Sequence, residues 1–224
     1  MVSQRANMPV ESHIDSLKMR HQELDHQLEE MKVATSVDQT ELRNIKQKKL
    51  AIKDKIEPFC KDVTPQLQEA DCAVLIADDT QAFGRCGADG LFVEKEKSKL
   101  EDFIARFSPQ NIVGCGNIKA RHNALEIGEL KPDFMFFGKL GGDIKPEAHP
   151  KNIKLAEWWA ELVEIPGIVM GGSALNSIIE VAKTGIDFVA LEKAVFADGD
   201  AAKNVVEANA LLDAHAPSFD EDEE

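Results

Sequence analysis

Six short apolar runs follow one another through the last two thirds of the chain. Stretches in which apolar residues recur at helical spacing lie between them, for example KSKLEDFIARF (97–107) and LAEWWAELVE (155–164). Short unbroken apolar runs are typical of strands buried on both faces, and their alternation with helices predicts a parallel sheet covered by helices. The six runs are CAVLIAD (72–78), GLFVE (90–94), NIVGCG (111–116), DFMFFGKL (133–140), IPGIVMGG (165–172) and DFVALEKAVF (187–196).

The N-terminal segment has a different period. Its large apolar residues have the three-four spacing of a heptad seam, with His21 in the one missing slot: Ile14, Leu17, Leu24, Leu28 and Met31. A second seam comprises Leu42, Ile45, Ile52 and Ile56, with Lys49 in its gap. Asp38 and Glu41 have the spacing of a capping box, and Pro58 is predicted to end the second helix. Two helices joined by a short polar loop predict an αα-hairpin.

These periods divide the chain into three segments. We predict an α-helical hairpin over residues 1–58, a βα domain of six units over 59–214 and an acidic disordered tail over 215–224. Residues 1–60 hold 10 basic and 10 acidic residues, so the net charge of −14 belongs to the remainder. A two-helix hairpin has too small a core to be very stable alone, so we expect it to form a homo-oligomer.

Composition excludes several classes of protein. Hydrophobic residues make up 43% of the chain, which is ordinary for a globular protein, and an acidic main body disfavours nucleic acid. There is no apolar run long enough to span a membrane, and the first residues lack the pattern of a secretory signal, so we expect a cytoplasmic protein. The four cysteines have no CxxC spacing and are predicted to be reduced thiols.

The candidate functional residues follow the predicted strands, because ligands of parallel α/β folds bind at the carboxyl ends of strands. Gly171 and Gly172 permit close approach to the backbone, and Ser173 can cap the next helix, which predicts a phosphate-binding turn. Glycine turns of this kind also occur without a ligand. Lys193, after the last run, is a candidate cation for the same phosphate.

Two further groups are candidates for chemistry. The longest connection, residues 138–152, has no helical period and carries Lys139 and Lys145 as candidate ligands for an anion. Asp78 and Asp79 follow the first run and could hold Mg²⁺ or act in acid–base chemistry. The alternative is that Asp79 begins the following helix.

The six units in order resemble thiamine phosphate synthase and its thiazole tautomerase relatives, which are (βα)₈ barrels. The resemblance runs through AVLIADDTQAFGRCGADGLFVE, NIVGCG, KPDFMFFGKL, DIKP and IPGIVMGGSALNSIIEVAKTGIDFVALEKAVF. It implies a transferase that joins a pyrimidine pyrophosphate to a thiazole phosphate with Mg²⁺. It also implies that Gly171 and Gly172 cradle a phosphate, that Lys145 is the catalytic loop lysine and that Asp78 is a metal-side aspartate. The N-terminal helices resemble a family of small bacterial helical hairpins of unknown function.

Several positions depart from the family pattern. Asn-Asp-Arg is Ala77, Asp78 and Asp79 here, and the Val-Ser near the thiazole phosphate is Glu192 and Lys193. A histidine-containing stretch has become Phe92 to Glu96, and the family's first two strands have no counterpart. We therefore expect a phosphate-binding protein with low synthase activity.

The alternative function is a non-catalytic oligomeric scaffold that uses the hairpin. Because six strands cannot close as eight do, three arrangements stay open: an open sheet, a barrel completed by another chain, or an incomplete rearranged product.

Overall fold

The structure is a computed structural model that describes residues 20, 23–24, 27, 39–94, 97–142, 144–197 and 200–217. Most of the first predicted helix, its loop with Asp38, and residues 218–224 of the predicted tail lie outside the described residues. His21 and the side chains of Leu42, Lys49, Ile52 and Ile56 do so too. The two seam residues whose side chains are described, Leu24 and Ile45, are both buried.

The described residues form eight α-helices and six strands. The helices are α1 (Gln39–Glu69), α2 (Thr80–Cys86), α3 (Leu100–Phe107), α4 (Arg121–Gly128), α5 (Pro150–Leu162), α6 (Ser177–Ala182), α7 (Lys193–Phe196) and α8 (Ala201–His215). The strands are β1 (Leu75–Ala77), β2 (Gly90–Val93), β3 (Ile112–Cys115), β4 (Phe134–Phe137), β5 (Gly167–Met170) and β6 (Phe188–Ala190). A 3-10 turn, Lys97–Lys99, precedes α3. None of the described helices is long and apolar enough to cross a membrane.

By internal contacts the chain divides into two compact units. The first contains α1 and the residues after it up to Cys72, together with Gly84–Gly87. The second contains Ala73–Phe83 and the residues from Ala88 onwards. All six strands belong to the second unit.

The second unit is a single sheet in which every strand pairs in parallel with its neighbour in sequence, in the order β1 to β6. The six predicted strands are therefore confirmed, and so is the α/β class. The sheet curls into a half-barrel with helices between its strands. Within the described residues of the single chain this sheet is open, with β1 and β6 at its edges.

One face of the sheet is covered by helices. Leu91, Val113, Met135 and Val169 on this face are fully buried, as apolar runs buried by flanking helices should be. Trp159 of α5 is also fully buried: its ring packs against Phe137 at 5.7 Å between centroids, and its Nε1–H donates to the carbonyl of Ile165 at 2.7 Å.

The opposite, concave face is filled by phenylalanine rings lying over glycines. Phe92 stacks on Phe134 at 6.1 Å and meets Phe136 edge to face at 5.4 Å. A Cβ added to Gly114 would lie 2.1 Å from the Phe134 ring, and one added to Gly116 would lie 2.3 Å from the Phe92 ring. The rings therefore take the space that side chains at these glycines would need.

Three aspartates repeat one contact through the sheet. Each lies just before an even-numbered strand and accepts a hydrogen bond from a backbone N–H at the start of the strand before it. Asp89 accepts from Val74 at 2.7 Å, Asp133 from Val113 at 2.7 Å and Asp187 from Gly167 at 2.8 Å. The strands are thereby joined at their amino ends in the pairs β1–β2, β3–β4 and β5–β6.

The predicted end of the hairpin's second helix is wrong. Helix α1 continues through Pro58 and Pro65 to Glu69 instead of ending at Pro58. A proline removes one backbone donor from a helix but leaves the following turns free to form. Glu57 supports the turn at Pro58, because its carboxylate pairs with Lys61 one turn further on at 2.9 Å and with Arg85 at 2.6 Å.

The last apolar run also differs from its prediction. The strand ends at Ala190, and Lys193–Phe196 form the short helix α7 instead of continuing it. The N–H groups of Val195 and Phe196 turn back to the carbonyl of Glu192, both at 3.1 Å. An apolar run alone does not distinguish a buried strand from a buried helical turn, which explains the error.

The packing of the concave face yields a test by double-mutant cycle. We expect Gly114→Ala to lower the free energy of unfolding by about 1–3 kcal/mol, because its methyl group overlaps the Phe134 ring. In the presence of Phe134→Ala the same change should cost almost nothing, since the ring is gone. Urea unfolding measures all four proteins.

Gly84→Ala is the matched control for this cycle. An added Cβ there meets nothing within 4 Å, and alanine favours the helix by about 0.5–1 kcal/mol, so this variant should be neutral or more stable. Equal costs of Gly114→Ala with and without Phe134 would disprove the proposed overlap.

Candidate functional site

The carboxyl ends of the strands carry the residues that the sequence singles out. Because all six strands are parallel, their following loops meet at one edge of the half-barrel. This edge gathers Asp78 after β1, Lys145 in the loop after β4, the glycine turn after β5 and Lys193 after β6.

The glycine turn is held by the loop before α5. Lys145 accepts the Ser173 N–H through its carbonyl at 2.7 Å, and Pro146 accepts the Ala174 N–H at 3.2 Å. A Cβ on Gly172 would lie 2.1 Å from the Pro146 carbonyl oxygen, so only glycine permits this approach. The structure therefore places the backbone of the loop at Lys145 against the turn, and the binding of an anion by these residues stays a prediction.

The amides of this turn all donate to acceptors in the protein. The Gly171 N–H donates to the carbonyl of Ala190 at 2.9 Å, and the Gly172 N–H donates to the Ser177 hydroxyl at 2.9 Å. With the Ser173 and Ala174 bonds, four successive amides have partners. A phosphate at this turn would have to replace one of these acceptors.

Two glutamates, which the sequence shows only as departures from the family, contact the loop after β4. Glu94, after β2, accepts the Leu140 N–H at 3.1 Å, and Glu192, after β6, accepts the Gly141 N–H at 3.1 Å. Gly141 has a φ of 67°, a left-handed conformation that favours glycine. Carboxylates thus occupy backbone donors at the edge where the fold would place an anionic ligand.

Lys193 and Lys145 are exposed, and Lys193 is the first residue of α7. Their side chains can reach solvent and therefore a ligand at this edge. Both lysines accept hydrogen bonds through their backbone carbonyls, and the predicted role of their side chains as anion ligands stays a prediction.

Asp78 and Asp79 perform different tasks. The Asp79 carboxylate accepts the N–H groups of Gln81 and Ala82, each at 3.1 Å, and so caps α2, which is the alternative that the sequence left open. Asp78 has a left-handed φ of 53°, and its carboxylate accepts the Glu94 N–H at 3.0 Å. One member of the predicted metal pair is therefore committed to a helix cap.

Asp78 remains the candidate for the Mg²⁺ that the family resemblance implies. Among the described residues no three histidine, cysteine, aspartate or glutamate side chains come together to hold a metal ion. Magnesium is commonly held by one or two protein carboxylates together with waters and substrate phosphates, so a single carboxylate at this edge fits such a role. The magnesium site therefore stays a prediction.

Half-buried Lys97 and fully buried Cys115 form a pair, coupled electrostatically, that the sequence did not single out. The Lys97 ammonium donates to the carbonyl of Asn117 at 3.0 Å. Burial lowers the pKa of Lys97, with a smaller effect from the positive charge of Lys119. Burial raises the pKa of Cys115 to about 11, with a further increase from Asp78 and an opposing effect of Lys97.

A cavity beside this pair contains other residues that sequence reasoning missed. It has a volume of about 240 Å³ and lies between the ends of β3 and β4 and the start of α5. Lys119, Lys139 and Lys151 line it, of which only Lys139 was a candidate from sequence. The available signal was weak: Lys119 follows β3 by four residues, and Lys151 lies in the first turn of α5.

Comparison with known proteins identifies a single family. A family model described as "Thiamine monophosphate synthase" matches residues 14–195. A thiamine-phosphate synthase of Hyphomonas neptunium is 29% identical over 156 residues, which are 69% of this chain and 71% of that protein. A thiamine-phosphate synthase of Erythrobacter litoralis is 26% identical over 135 residues, 59% of this chain and 63% of the relative. The chain thus spans roughly two thirds of the length of these relatives.

The solved structures agree on the fold. A thiamine phosphate pyrophosphorylase from Pyrococcus furiosus superposes with a TM-score of 0.63 at 22% identity, covering 73% of this chain and 79% of that one. At this identity the likeness is evidence for the fold alone.

The raised pKa of Cys115 predicts slow alkylation. Because the thiolate is the nucleophile and Cys115 is fully buried, we expect iodoacetamide at pH 8 to modify the exposed Cys72 while Cys115 of the folded protein remains unmodified. Mass spectrometry of the alkylated peptides measures both rates, and the guanidinium-unfolded chain is the control in which the two should react alike.

The same pKa shift has a consequence for stability. The pKa of the Cys115 thiol is higher in the folded chain than its ordinary value of 9.0, so protonation of the thiol favours the folded state. This contribution to the free energy of unfolding is fully present below pH 9.0 and is lost as the pH rises towards about 11.

Modification of Cys115 as fast as that of Cys72 in the folded protein at pH 8 would contradict the predicted slow alkylation.

Proposed function

This chain belongs to the thiamine monophosphate synthase family, and we propose that it binds a phosphorylated small molecule in thiamine biosynthesis while performing the synthase reaction only slowly. Family membership and the edge of parallel strand ends support the ligand class. The observation that carries the proposal is the contact between the Lys145 loop and the turn at Gly171, Gly172 and Ser173. It joins the residues that the family resemblance assigns to a phosphate.

Three features support slow turnover. Asp79, where the family pattern has an arginine, removes a cation from the pyrophosphate side and caps α2 instead. Glu192, in place of the family's valine, adds a carboxylate at the loop after β4. The third feature is steric: the rings of Phe92, Phe134 and Phe136 fill the concave face, so a pyrimidine has little room there.

Asp78 is the residue that would hold the Mg²⁺ implied by the family resemblance, which would stabilise the departing pyrophosphate. In this proposal Lys145 and Lys193 serve as ligands of the phosphate. Asp78 is the remaining candidate for acid–base chemistry, and it is positioned by its bond to the Glu94 N–H.

A turnover assay tests the proposal. With hydroxymethylpyrimidine pyrophosphate, thiazole phosphate and Mg²⁺, we expect kcat/KM about 10⁴-fold below that of a family enzyme with the complete motifs, since each lost charge-stabilising group costs about 10²–10³ in rate. Isothermal titration calorimetry with thiazole phosphate should still detect binding. Turnover equal to that of the complete enzyme would refute the low activity, and absence of any binding would refute the ligand class.

Glu192→Gln provides a matched variant for this assay. Glutamine keeps an oxygen for the Gly141 N–H but removes the negative charge, so affinity for thiazole phosphate should increase several-fold. Glu207→Gln, an exposed site on α8, makes the same change in charge and should leave the affinity unchanged.

We further propose that the N-terminal helices mediate a homo-oligomer, whether or not the βα domain binds a ligand. Leu24 and Ile45, one from each predicted seam, are buried within the single chain, and the oligomer is supported by the small size of a two-helix core, which favours association with a second copy. A non-catalytic scaffold is the second candidate function on this observation.

Sedimentation equilibrium tests the oligomer. Deleting residues 1–38 removes the first predicted helix and leaves α1 whole, so it is a better truncation than one within α1. We expect the full chain to sediment as an oligomer and the shortened chain as a monomer, with unchanged binding of thiazole phosphate. A monomeric full chain would refute the proposal.

A further inference from the structure

Helices α4 and α5 expose large apolar side chains next to each other. Leu125 of α4 is 49% exposed, and Leu162 of α5 is 66% exposed. The Arg121 guanidinium lies 5.0 Å from the centroid of the Trp158 ring, so the two helices meet one turn before these leucines. A single exposed leucine is ordinary, but apolar side chains grouped in one patch commonly mark an interaction surface.

A groove between these helices carries charges of both signs. It has a volume of about 320 Å³ and is lined by Arg121, Lys154, Glu157, Trp158 and Glu161. Together with the two exposed leucines these residues are called the α4–α5 face below. Two of its residues are cations and two are anions, so the face is neutral although the chain has a net charge of −14. A second acidic chain can approach a neutral face with less repulsion than it meets elsewhere.

The charges that α5 contributes to this face have no ion-pair partner in the described part of the chain. Glu157 and Glu161 lie one turn apart, a spacing at which like charges destabilise a helix. Among the described residues neither glutamate nor Lys154 makes an ion pair. The Arg121 guanidinium is stacked on Trp158. The α4–α5 face therefore offers a cation and two anions to a partner that covers it.

The order of these charges along α5 makes the face complementary to itself. Lys154 and Glu161 are about two turns apart and so lie on one side of the helix. They are equally far, in opposite directions, from the point between residues 157 and 158. Two α5 helices packed antiparallel about a two-fold axis at this point would place Lys154 of each copy opposite Glu161 of the other.

Symmetry then forms the same ion pair twice. A two-fold contact brings the same patch of both subunits together, so every contact between two different residues occurs two times. A different protein would need its own matching pattern of charges, whereas a second copy of this chain carries that pattern already. The charge pattern thus identifies a second copy as the partner that fits this face.

We infer that the α4–α5 face packs against the same face of a second copy of this chain. This inference rests on the proposed homo-oligomer and adds to it a contact between the βα domains. A stable interface between separate chains uses about 20–30 residues of each partner, whereas this face consists of the groove residues and two leucines. The contact alone is therefore weak, and the chain shortened by residues 1–38 stays monomeric. In the full chain the N-terminal helices hold the copies at a high effective concentration, at which a weak contact forms.

Charge reversal tests this contact on the full chain, with the dissociation constant of the oligomer measured by sedimentation equilibrium. Lys154→Glu places two glutamates opposite each other twice, so we expect the dissociation constant to increase about tenfold. Glu161→Lys should have the same effect, because it places two lysines opposite each other. The double variant Lys154→Glu/Glu161→Lys exchanges the two partners and should return the dissociation constant to within about threefold of the wild-type value.

Matched variants separate this contact from general effects of charge. Lys203→Glu makes the same change of charge on α8 and should leave the dissociation constant within about twofold of wild type. Leu162→Ala removes an exposed apolar group without changing the charge and should weaken the oligomer several-fold. The substituted side chains are all exposed, so the variants should fold, and thermal melting by circular dichroism checks that they do. Added salt should reduce the difference between Lys154→Glu and wild type, since exposed charges are screened.

The remaining outcomes also decide. Single variants that weaken the oligomer without recovery in the double variant would overturn the two-fold pairing of Lys154 with Glu161. Equal dissociation constants for wild type and both single variants would overturn the contact through α5 and leave the oligomer of the N-terminal helices intact. A full chain that sediments as a monomer would overturn this inference together with the proposed oligomer. The proposed binding of a phosphorylated molecule is measured separately, by calorimetry, and none of these outcomes changes it.

Discussion

A half-barrel must fill its own concave face, and here phenylalanine rings packed over glycines do so. In a closed barrel the interior is filled by side chains from all strands, whereas in this open sheet only six strands contribute. Phe92 and Phe136 are more than nine-tenths buried because Gly114 and Gly116 leave the space that their rings and that of Phe134 occupy. The price is chemical: a face packed with rings has little room for a substrate. The candidate functional groups lie at the rim of the sheet.

At this rim, backbone amides that could bind an anion instead donate to acceptors within the protein. Glycine turns commonly offer backbone amides to phosphate, but here the loop carrying Lys145 and Pro146 accepts the amides of the turn after β5. Glu94 and Glu192 in the same way accept amides from the loop after β4. These contacts stabilise the loops, so the backbone amides of the turn and of the loop after β4 already have acceptors within the protein.

The sequence predicted the sheet well because its signal is local. A strand buried on both faces has to be apolar along its length, so all six runs could be identified without knowledge of the partner strands. Contacts between distant residues have no such signal: Glu94 bonds to Leu140, and Glu192 bonds to Gly141, 51 positions earlier. The predicted end of α1 at Pro58 was wrong for another reason. The unfavourable effect of a proline on a helix can be read from the local sequence, whereas the ion pair between the adjacent Glu57 and Arg85 joins two different elements.

The three aspartate contacts explain why six strands form a coherent sheet. Asp89, Asp133 and Asp187 each tie the start of one strand to the strand before it, so the sheet consists of three joined pairs. An eight-stranded barrel built in the same way would contain four pairs, and the two strands without a counterpart here would be the first of them. Loss of a whole pair leaves every remaining contact intact, whereas loss of a single strand would leave one aspartate without its amide. The open sheet therefore keeps these hydrogen bonds, while β1 and β6 at its edges each pair with one neighbour among the described strands.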